Sequence, residues 1–368
     1  MNKEITFVIK TFERINCVKR LVRSIQKYYP NYPILIGDDS KESCKGYFKF
    51  YSFFTGANIE VVELPYDSGL SYGRNELIKR VKTEFFVLMD DDFVIDDQCD
   101  FKYAISVFES SDLDILGGYY RNYPATDENT GIFKRIQYKD KKNEKPLNYI
   151  GDLNLDVNNR ILTFDVENDF FPDFVRTDVV ENFFIARSAS ILEKCLWDSD
   201  LKVNEHLAFF FEAKAKGVKV AFSNRLSVIH RPVQSKNYMK SRNRRYFQVF
   251  MKKHNIGKIV WKHKSGKEEC VYNIEIQRNN RKLYLFGAGN NCDDYLSYRD
   301  DYVWGIIDND TNKTGKNIRG VKVISPDAIK DWHQIFIIIT VAKYEDIAYQ
   351  LSGYGLLHIR DYLLIGEC

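Results

Sequence analysis

No two of the seven cysteines in this 368-residue sequence form a CxxC pair. They stand singly at Cys17, Cys44, Cys99, Cys195, Cys270, Cys292 and Cys368, an odd set with neither zinc-site spacing nor a disulfide framework, so reduced thiols in a cytoplasm are expected. Long apolar runs are missing too. The longest, Ile335 to Val341, has the length of a buried strand and falls short of the roughly 18 to 20 residues that a membrane-spanning helix needs. The first residues show no basic stretch, apolar core or small-residue cleavage site, so no signal peptide is expected. Charge of one sign is not in excess: 54 Lys and Arg stand against 51 Asp and Glu, which argues against a nucleic-acid partner. A cytoplasmic protein, soluble or peripheral at the inner face of a membrane, is the expectation. No low-complexity tract argues for disorder, and a hydrophobic share of 44% with 15% aromatics is enough for sizeable cores. At this length two domains are expected.

The first hundred residues alternate strand and helix. Ile5 to Ile9 reads as a buried strand, Val18 to Tyr28 as an amphipathic helix, and Pro33 to Ile36 as a second strand running into Asp38 and Asp39. Ile59 to Leu64 reads as a third strand, Leu70 to Val81 as a helix, and Glu84 to Met89 as a strand that stops on acids. This β-α-β-β-α-β series predicts a parallel α/β sheet with its site at the carboxyl ends of the strands. Lys134 to Asn159 is charged and Asn-rich, as in an exposed loop or lid, and Ile161 to His230 is globular again. Lys236 to Lys264 interleaves aromatics with Lys and Arg, and Gln277 to Arg281 marks a linker. The predicted domains are therefore 1–275 and 281–368.

The strongest chemical signal is Phe85-Phe86-Val87-Leu88-Met89-Asp90-Asp91-Asp92-Phe93. On an extended backbone Asp90 and Asp92 project to one side and Asp91 to the other. A spaced carboxylate pair ending a buried strand suits a hard divalent cation bridging to a diphosphate, although a solvated acidic turn has the same sequence. Asp38-Asp39-Ser40 closes the second strand, where a carboxylate can accept from a base or ribose donor or simply close an Asx turn. Gly69-Leu70-Ser71-Tyr72-Gly73-Arg74-Asn75 opens a helix where backbone N–H groups and Arg74 can meet phosphate or hold the acidic strand end; Ser71 also reads as a plain N-cap. All three signals fall at predicted strand ends or at the next helix start, and that common location is what gives them weight.

These residues also carry a resemblance. Val8 to Arg14, Leu21 to Ile25, the Gly37-Asp38-Asp39-Ser40 turn, Gly69 to Asn75 and Met89 to Val94 resemble the nucleotide-binding half of family 2-like glycosyltransferases of GT-A fold. The similarity extends in particular to the animal β-1,4-N-acetylgalactosaminyltransferases and their bacterial relatives in surface polysaccharide synthesis. It continues through Leu113 to Gly118, Asp178 to Arg187, Asn204 to Phe210 and Val228-Ile229-His230, covering about the first 250 residues in order. The resemblance implies an inverting, metal-dependent transfer from a UDP-sugar, with UDP-N-acetylgalactosamine favoured, to a glycan or lipid-linked glycan acceptor. Mn²⁺ or Mg²⁺ would be held by Asp90 and Asp92, with Asp92 the more direct ligand. His230 matches a histidine that can complete the metal site, although a lone histidine is often an ordinary polar residue. Thr11, Arg14, Asp38 or Asp39, Arg74, Asp90 and Asp91 would hold the nucleotide sugar. Arg242, in a basic segment with Tyr238, Arg244 and Arg245, would close over the diphosphate; a solvated helix face or an inner-leaflet contact has the same signature.

Inversion needs a base that takes the acceptor proton. In similar enzymes it is an acid just before a Phe-Phe pair, which makes Glu205 the first choice, His206 a second and Asp178 a third. Relatives often show a further acid where Ala208 stands, so a catalytically silent scaffold of the same fold is the alternative. Glu205 capping the helix Leu207 to Lys216 is the structural alternative for that residue.

Lys282 to Phe286 followed by Gly287-Ala288-Gly289-Asn290-Asn291, with Val303 to Asp308 about 20 residues on, imitates a dinucleotide site. Cys292 takes the place of the third glycine, and no Tyr-x-x-x-Lys accompanies it. A small Rossmann-like module for docking a partner or sensing a nucleotide is expected, not a redox domain.

Overall fold

The computed structural model describes residues 5–123, 126–127, 145–234, 245–298 and 301–368. Contacts divide the chain into two compact units: 1–153, 164–242 and 262–267 in the first, and 154–163, 243–261 and 268–368 in the second. The second unit thus contains the whole of the expected 281–368 module and adds three earlier segments to it. No helix among the described residues is long and apolar enough to cross a membrane.

In the first unit, β1 (Ile5–Thr11), β2 (Ile34–Asp38), β3 (Ile59–Glu63) and β4 (Phe85–Asp90) run parallel in the order β3-β2-β1-β4. Every residue of β1 is buried, because helices cover both faces of a central parallel strand, so the strand reads as an apolar run without alternation. Helix α1 (Ile15–Tyr28) buries Cys17, Val18, Leu21, Val22 and Ile25, one stripe at helical spacing. Helix α2 (Lys45–Thr55) lies between β2 and β3 where none is expected from the sequence, and Phe48 alone of it is buried. Helix α3 (Leu70–Ile78) follows β3, and the register sets Lys10 beside Asp90 and Thr11 beside Asp38, lining up the carboxyl ends of β1, β2 and β4.

After β5 (Phe93–Val94) and helix α4 (Phe101–Glu109), β6 (Ile115–Asn122) and three later strands widen the sheet: β11 (Val175–Arg176), β12 (Phe184–Arg187) and β13 (Val220–His230). The main path is β11-β13-β6-β12-β4-β1-β2-β3, with β12 antiparallel to both neighbours and β11 antiparallel to β13, and β5 pairs antiparallel with β13 off that path, so the expected mainly parallel sheet is mixed at these strands. A Cβ on Gly117 would lie 2.4 Å from Val180 and one on Gly118 2.3 Å from the Leu226 carbonyl oxygen, so these neighbours can approach only where there is no side chain.

Between them, β7 (Thr126–Asp127) pairs with β14 (Val233–Gln234), and β8 (Lys145–Leu147) pairs with β6. Part of the stretch 134–159, expected as a loop, is strand: β8 and β9 (Ile150–Asp156); residues 134–144 lie outside the described ones. β10 (Ile161–Glu167) returns beside β9, and β15 (Lys258–His263) and β16 (Glu268–Tyr272) complete a four-stranded sheet.

In the second unit, β17 (Lys282–Phe286), β18 (Gly305–Ile307), β20 (Val321–Ile324), β21 (Ile335–Ile339) and β22 (Tyr362–Leu364) are parallel in the order β20-β18-β17-β21-β22, with β19 (Asn317–Ile318) antiparallel at the edge. Counted from β17 this is 3-2-1-4-5, the order of a doubly wound sheet. One face carries Leu283, Leu285, Ile306, Phe336 and Ile338 with Tyr272 and Ile274; the other carries Phe286, Ile307, Ile337, Ile339 and Leu351.

Candidate active site

The acidic triplet ends β4 and turns into β5, so its three carboxylates leave the sheet in different directions. Asp91 is fully buried: Thr11 Oγ1 donates to its Oδ2 at 2.6 Å, Arg14 Nε reaches the same oxygen at 3.2 Å, and Arg14 also ion-pairs with Oδ1. Burial and the neighbouring Asp92 charge push the Asp91 carboxyl up, while Arg14 and Thr11 act against that. Asp92 takes the other arm of Arg14 at 3.0 Å and faces His230, whose Nε2 is 3.6 Å from Oδ2. Burial opposes its ionisation, but His230, Arg14 and Arg20 outweigh burial and hold the Asp92 carboxyl below the usual carboxylate range. The β13–β5 pairing, with His230 opposite Phe93, delivers this histidine from more than a hundred residues downstream.

Asp90 is the open member, with its side chain 28% exposed and Arg74 Nη2 3.0 Å from Oδ1. Arg74 is buried and turns its other arm to Glu205 at 2.5 Å, so one guanidinium joins α3, the strand end and the first turn of the helix Glu205–Ala215. Glu205 does not cap that helix with its side chain; its carboxylate goes to Arg74.

The structure places the remaining expected residues as follows. Asp38 accepts from the backbone N–H of Ser40 at 3.0 Å and of Cys44 at 2.7 Å, closing a local turn. Asp39 is buried on the Lys10 ammonium and accepts from Gly69 N at 3.0 Å and Ser68 Oγ at 3.3 Å. His206 has its Nε2 2.6 Å from the Val180 carbonyl oxygen. Asp178 receives Lys214 Nζ at 2.6 Å and Leu153 N at 2.8 Å. Ala208 is buried between Leu207 and Phe209, on a helix whose Phe209 stacks on Trp197 at 4.1 Å. Arg242 lies outside the described residues.

Thr11, Arg14, Asp91, Asp92 and His230 therefore gather in one cluster, and Arg74, Asp90 and Glu205 in a chain beside it. Sequence reasoning missed Lys10 and the Glu181–Tyr120 pair. Each carries a signal, a charge inside an apolar run: Lys10 within a wholly buried strand, Glu181 between Val180 and Phe183. Burial pushes Glu181 up to about 8, with the hydrogen bond from Tyr120 opposing and the Asp90 charge adding to the rise.

No group of three or more His, Cys, Asp or Glu side chains among the described residues has the geometry of a complete metal site. The donors present still fit a divalent cation in part: Asp92 and His230 converge, and the buried His230 Nδ1 has no hydrogen-bond partner among the described residues. Asp90, two residues before Asp92 and 28% exposed, is the open carboxylate at the same strand end.

At the end of β4 a mostly parallel α/β sheet presents carboxylates gripped by two guanidinium groups. Residues 6–165 match the family described as glycosyl transferase family 2. Residues 279–358 match the family described as C2185-like, N-terminal. The chain is 30% identical over 208 residues to beta-1,4 N-acetylgalactosaminyltransferase 2 of Mus musculus, covering 56% of this chain and 36% of that protein. It is also 30% identical over 209 residues to beta-1,4 N-acetylgalactosaminyltransferase 1 of Homo sapiens, covering 56% and 35%. The chain thus spans about a third of the length of the curated relatives it matches. Among solved structures, it is similar to S. aureus TarS 1-349 in complex with UDP-GlcNAc (TM-score 0.45, 14% identity, 68% of this chain and 65% of that one). GalNAc-T7 with UDP, GalNAc and Mn2+ gives 0.45 and 13%, over 68% and 50%.

Proposed function

We propose that the chain is an inverting, metal-dependent glycosyltransferase that takes a sugar from a UDP-sugar and joins it to a hydroxyl of a glycan or lipid-linked glycan in bacterial surface polysaccharide or lipooligosaccharide synthesis. The observation that carries this reading is the acidic triplet at the end of β4, which lies in the stretch 6–165 that matches glycosyl transferase family 2 and is wired to Arg14, Arg74 and, from beyond that stretch, His230. The names of the N-acetylgalactosaminyltransferase relatives favour UDP-N-acetylgalactosamine as donor; UDP-glucose, UDP-galactose and UDP-N-acetylglucosamine are the competing donors.

Asp92 and His230, joined by Asp90, would hold Mn²⁺ or Mg²⁺, and a bound ion would supply positive charge against the diphosphate. Arg14 helps to keep Asp92 ionised and aimed, and Arg74 holds the Asp90 carboxylate in place. Asp91 faces inward and anchors the turn. A base removes the acceptor proton as the acceptor oxygen attacks C1 from the side opposite UDP. Transfer is assigned to residues 1–275, of which 154–163, 243–261 and 268–275 pack in the second compact unit, and docking of a partner or a nucleotide to the accessory module 281–368.

The buried, apolar Ala208 favours a second reading, a silent scaffold of the same fold. UDP release from each common UDP-sugar, with and without Mn²⁺, separates the two. Metal-dependent release from one donor that vanishes in Asp92→Ala supports the enzyme and names the sugar; absence of Mn²⁺-dependent UDP binding supports the scaffold.

A further inference from the structure

Three residues compete for the role of base, and the structure commits two of them elsewhere. Glu205 is buried in its ion pair with Arg74, and Asp178 is ion-paired to Lys214 and accepts from the Leu153 amide. A carboxylate whose oxygens are already engaged by a cation is not free to face an acceptor hydroxyl.

His206 is different. A carbonyl oxygen only accepts, so the 2.6 Å contact with Val180 requires the proton on Nε2. In the neutral ring Nδ1 is then the basic nitrogen, and the same bond fixes the ring orientation. Phe210 at 5.2 Å and Tyr149 at 6.3 Å flank the imidazole, and the charged groups that face it are Glu205 and Arg74. Burial pushes its pKa down; Glu205 and the Val180 bond act upward and Arg74 downward, leaving the ring neutral near pH 7. Both of its attachments border the Asp90 strand end. The preceding residue, Glu205, reaches Asp90 through Arg74, and Val180 precedes Glu181, whose carboxyl responds to the Asp90 charge.

We propose that His206 is the general base of the transfer and that Glu205 is a positioning residue that holds Arg74 and, through it, Asp90. This rests on the transferase reading above. The acceptor hydroxyl gives its proton to Nδ1 as its oxygen forms a bond to C1. The bond from C1 to the β-phosphate oxygen breaks, its electron pair leaves with UDP, and the imidazolium later returns the proton to water.

The test measures UDP release from the preferred UDP-sugar, with water or added glycan as acceptor, alongside UDP binding by calorimetry. His206→Ala and His206→Gln are expected to lower kcat by about 100- to 10,000-fold with UDP affinity and KM for the donor unchanged. His206→Asp is expected to restore part of kcat and to move the acidic limb of the pH–kcat profile downward, from an imidazole to a carboxylate. Glu205→Gln is expected to alter KM for the donor and leave that limb in place. A His206→Gln protein that melts as the wild type yet keeps kcat within threefold, or an acidic limb unmoved in His206→Asp, overturns the assignment alone. Wild-type protein that neither binds UDP nor releases it overturns the transferase reading and the base with it.

Discussion

Arg74 shows how much of the site hangs on one side chain. It is 1% exposed and bridges a buried carboxylate to an exposed one, so Arg74→Ala leaves Glu205 charged and unpaired in the interior. Losing one partner of such a pair costs about 3 to 5 kcal/mol, and a loss of unfolding free energy of that size is expected from urea titration, read as a lower midpoint at unchanged m-value. Glu181 gives a pH effect of definite sign. Its folded pKa of about 8 lies above the unfolded value, so between those values the folded state holds a proton that the unfolded state lacks. Stability therefore falls as pH rises through that window, by about 1.4 kcal/mol per unit for one group. Glu181→Gln is expected to flatten the slope of melting temperature between pH 5 and 8 and to stabilise the protein at pH 8. At this scale the sequence shows which residues are chemical and hides how they are wired. The triplet is legible because three acids after five apolar residues need a reason. Arg74 is legible as a holder of the acidic strand end, where it meets Asp90, but the Arg14–Asp91 and Arg74–Glu205 contacts are not, since they form only after the chain has folded back over long separations. For Asp38, the local Asx reading describes the observed bonds by itself.

At the scale of elements, strand ends and glycine turns were readable and α2 was not. Its sequence, KGYFKFYSFFT, has aromatics all round, and Phe50, Phe53 and Phe54 are 65%, 82% and 67% exposed, so no buried stripe announces a helix. Phe53→Ser is accordingly expected to change the unfolding free energy by no more than about 0.5 kcal/mol. Gly69 is the converse. It sits at φ 93° just before α3, and a Cβ there would lie 2.6 Å from Lys202 Cα. Gly69→Ala adds a steric clash to a left-handed strain of about 1 to 3 kcal/mol, so a lower melting temperature and weaker UDP binding are expected.

For the whole molecule, the positions of the parallel strands along the chain follow from apolar runs in the sequence, because strands covered on both faces show no alternation, whereas their spatial order does not. The membership of the second unit does not, since it depends on pairings between distant segments. Tyr272 and Ile274 share a core with Leu283, Phe336 and Leu363. A protein ending at residue 275 would expose those two side chains, and it is expected to melt lower and precipitate more readily than the full chain.

The divided path of the second unit also bears on how the chain is made. Residues 154–163 leave the ribosome well before residue 243, where the next segment of their unit begins. At about 5 to 20 residues per second, that interval of roughly 80 residues lasts about 4 to 16 s. During that time the tip of the β9–β10 hairpin has no partner strand to bind. Newly made chains therefore carry an unpaired strand pair that a holding chaperone can recognise, and slowing translation across 164–242 would prolong the interval in which they need one.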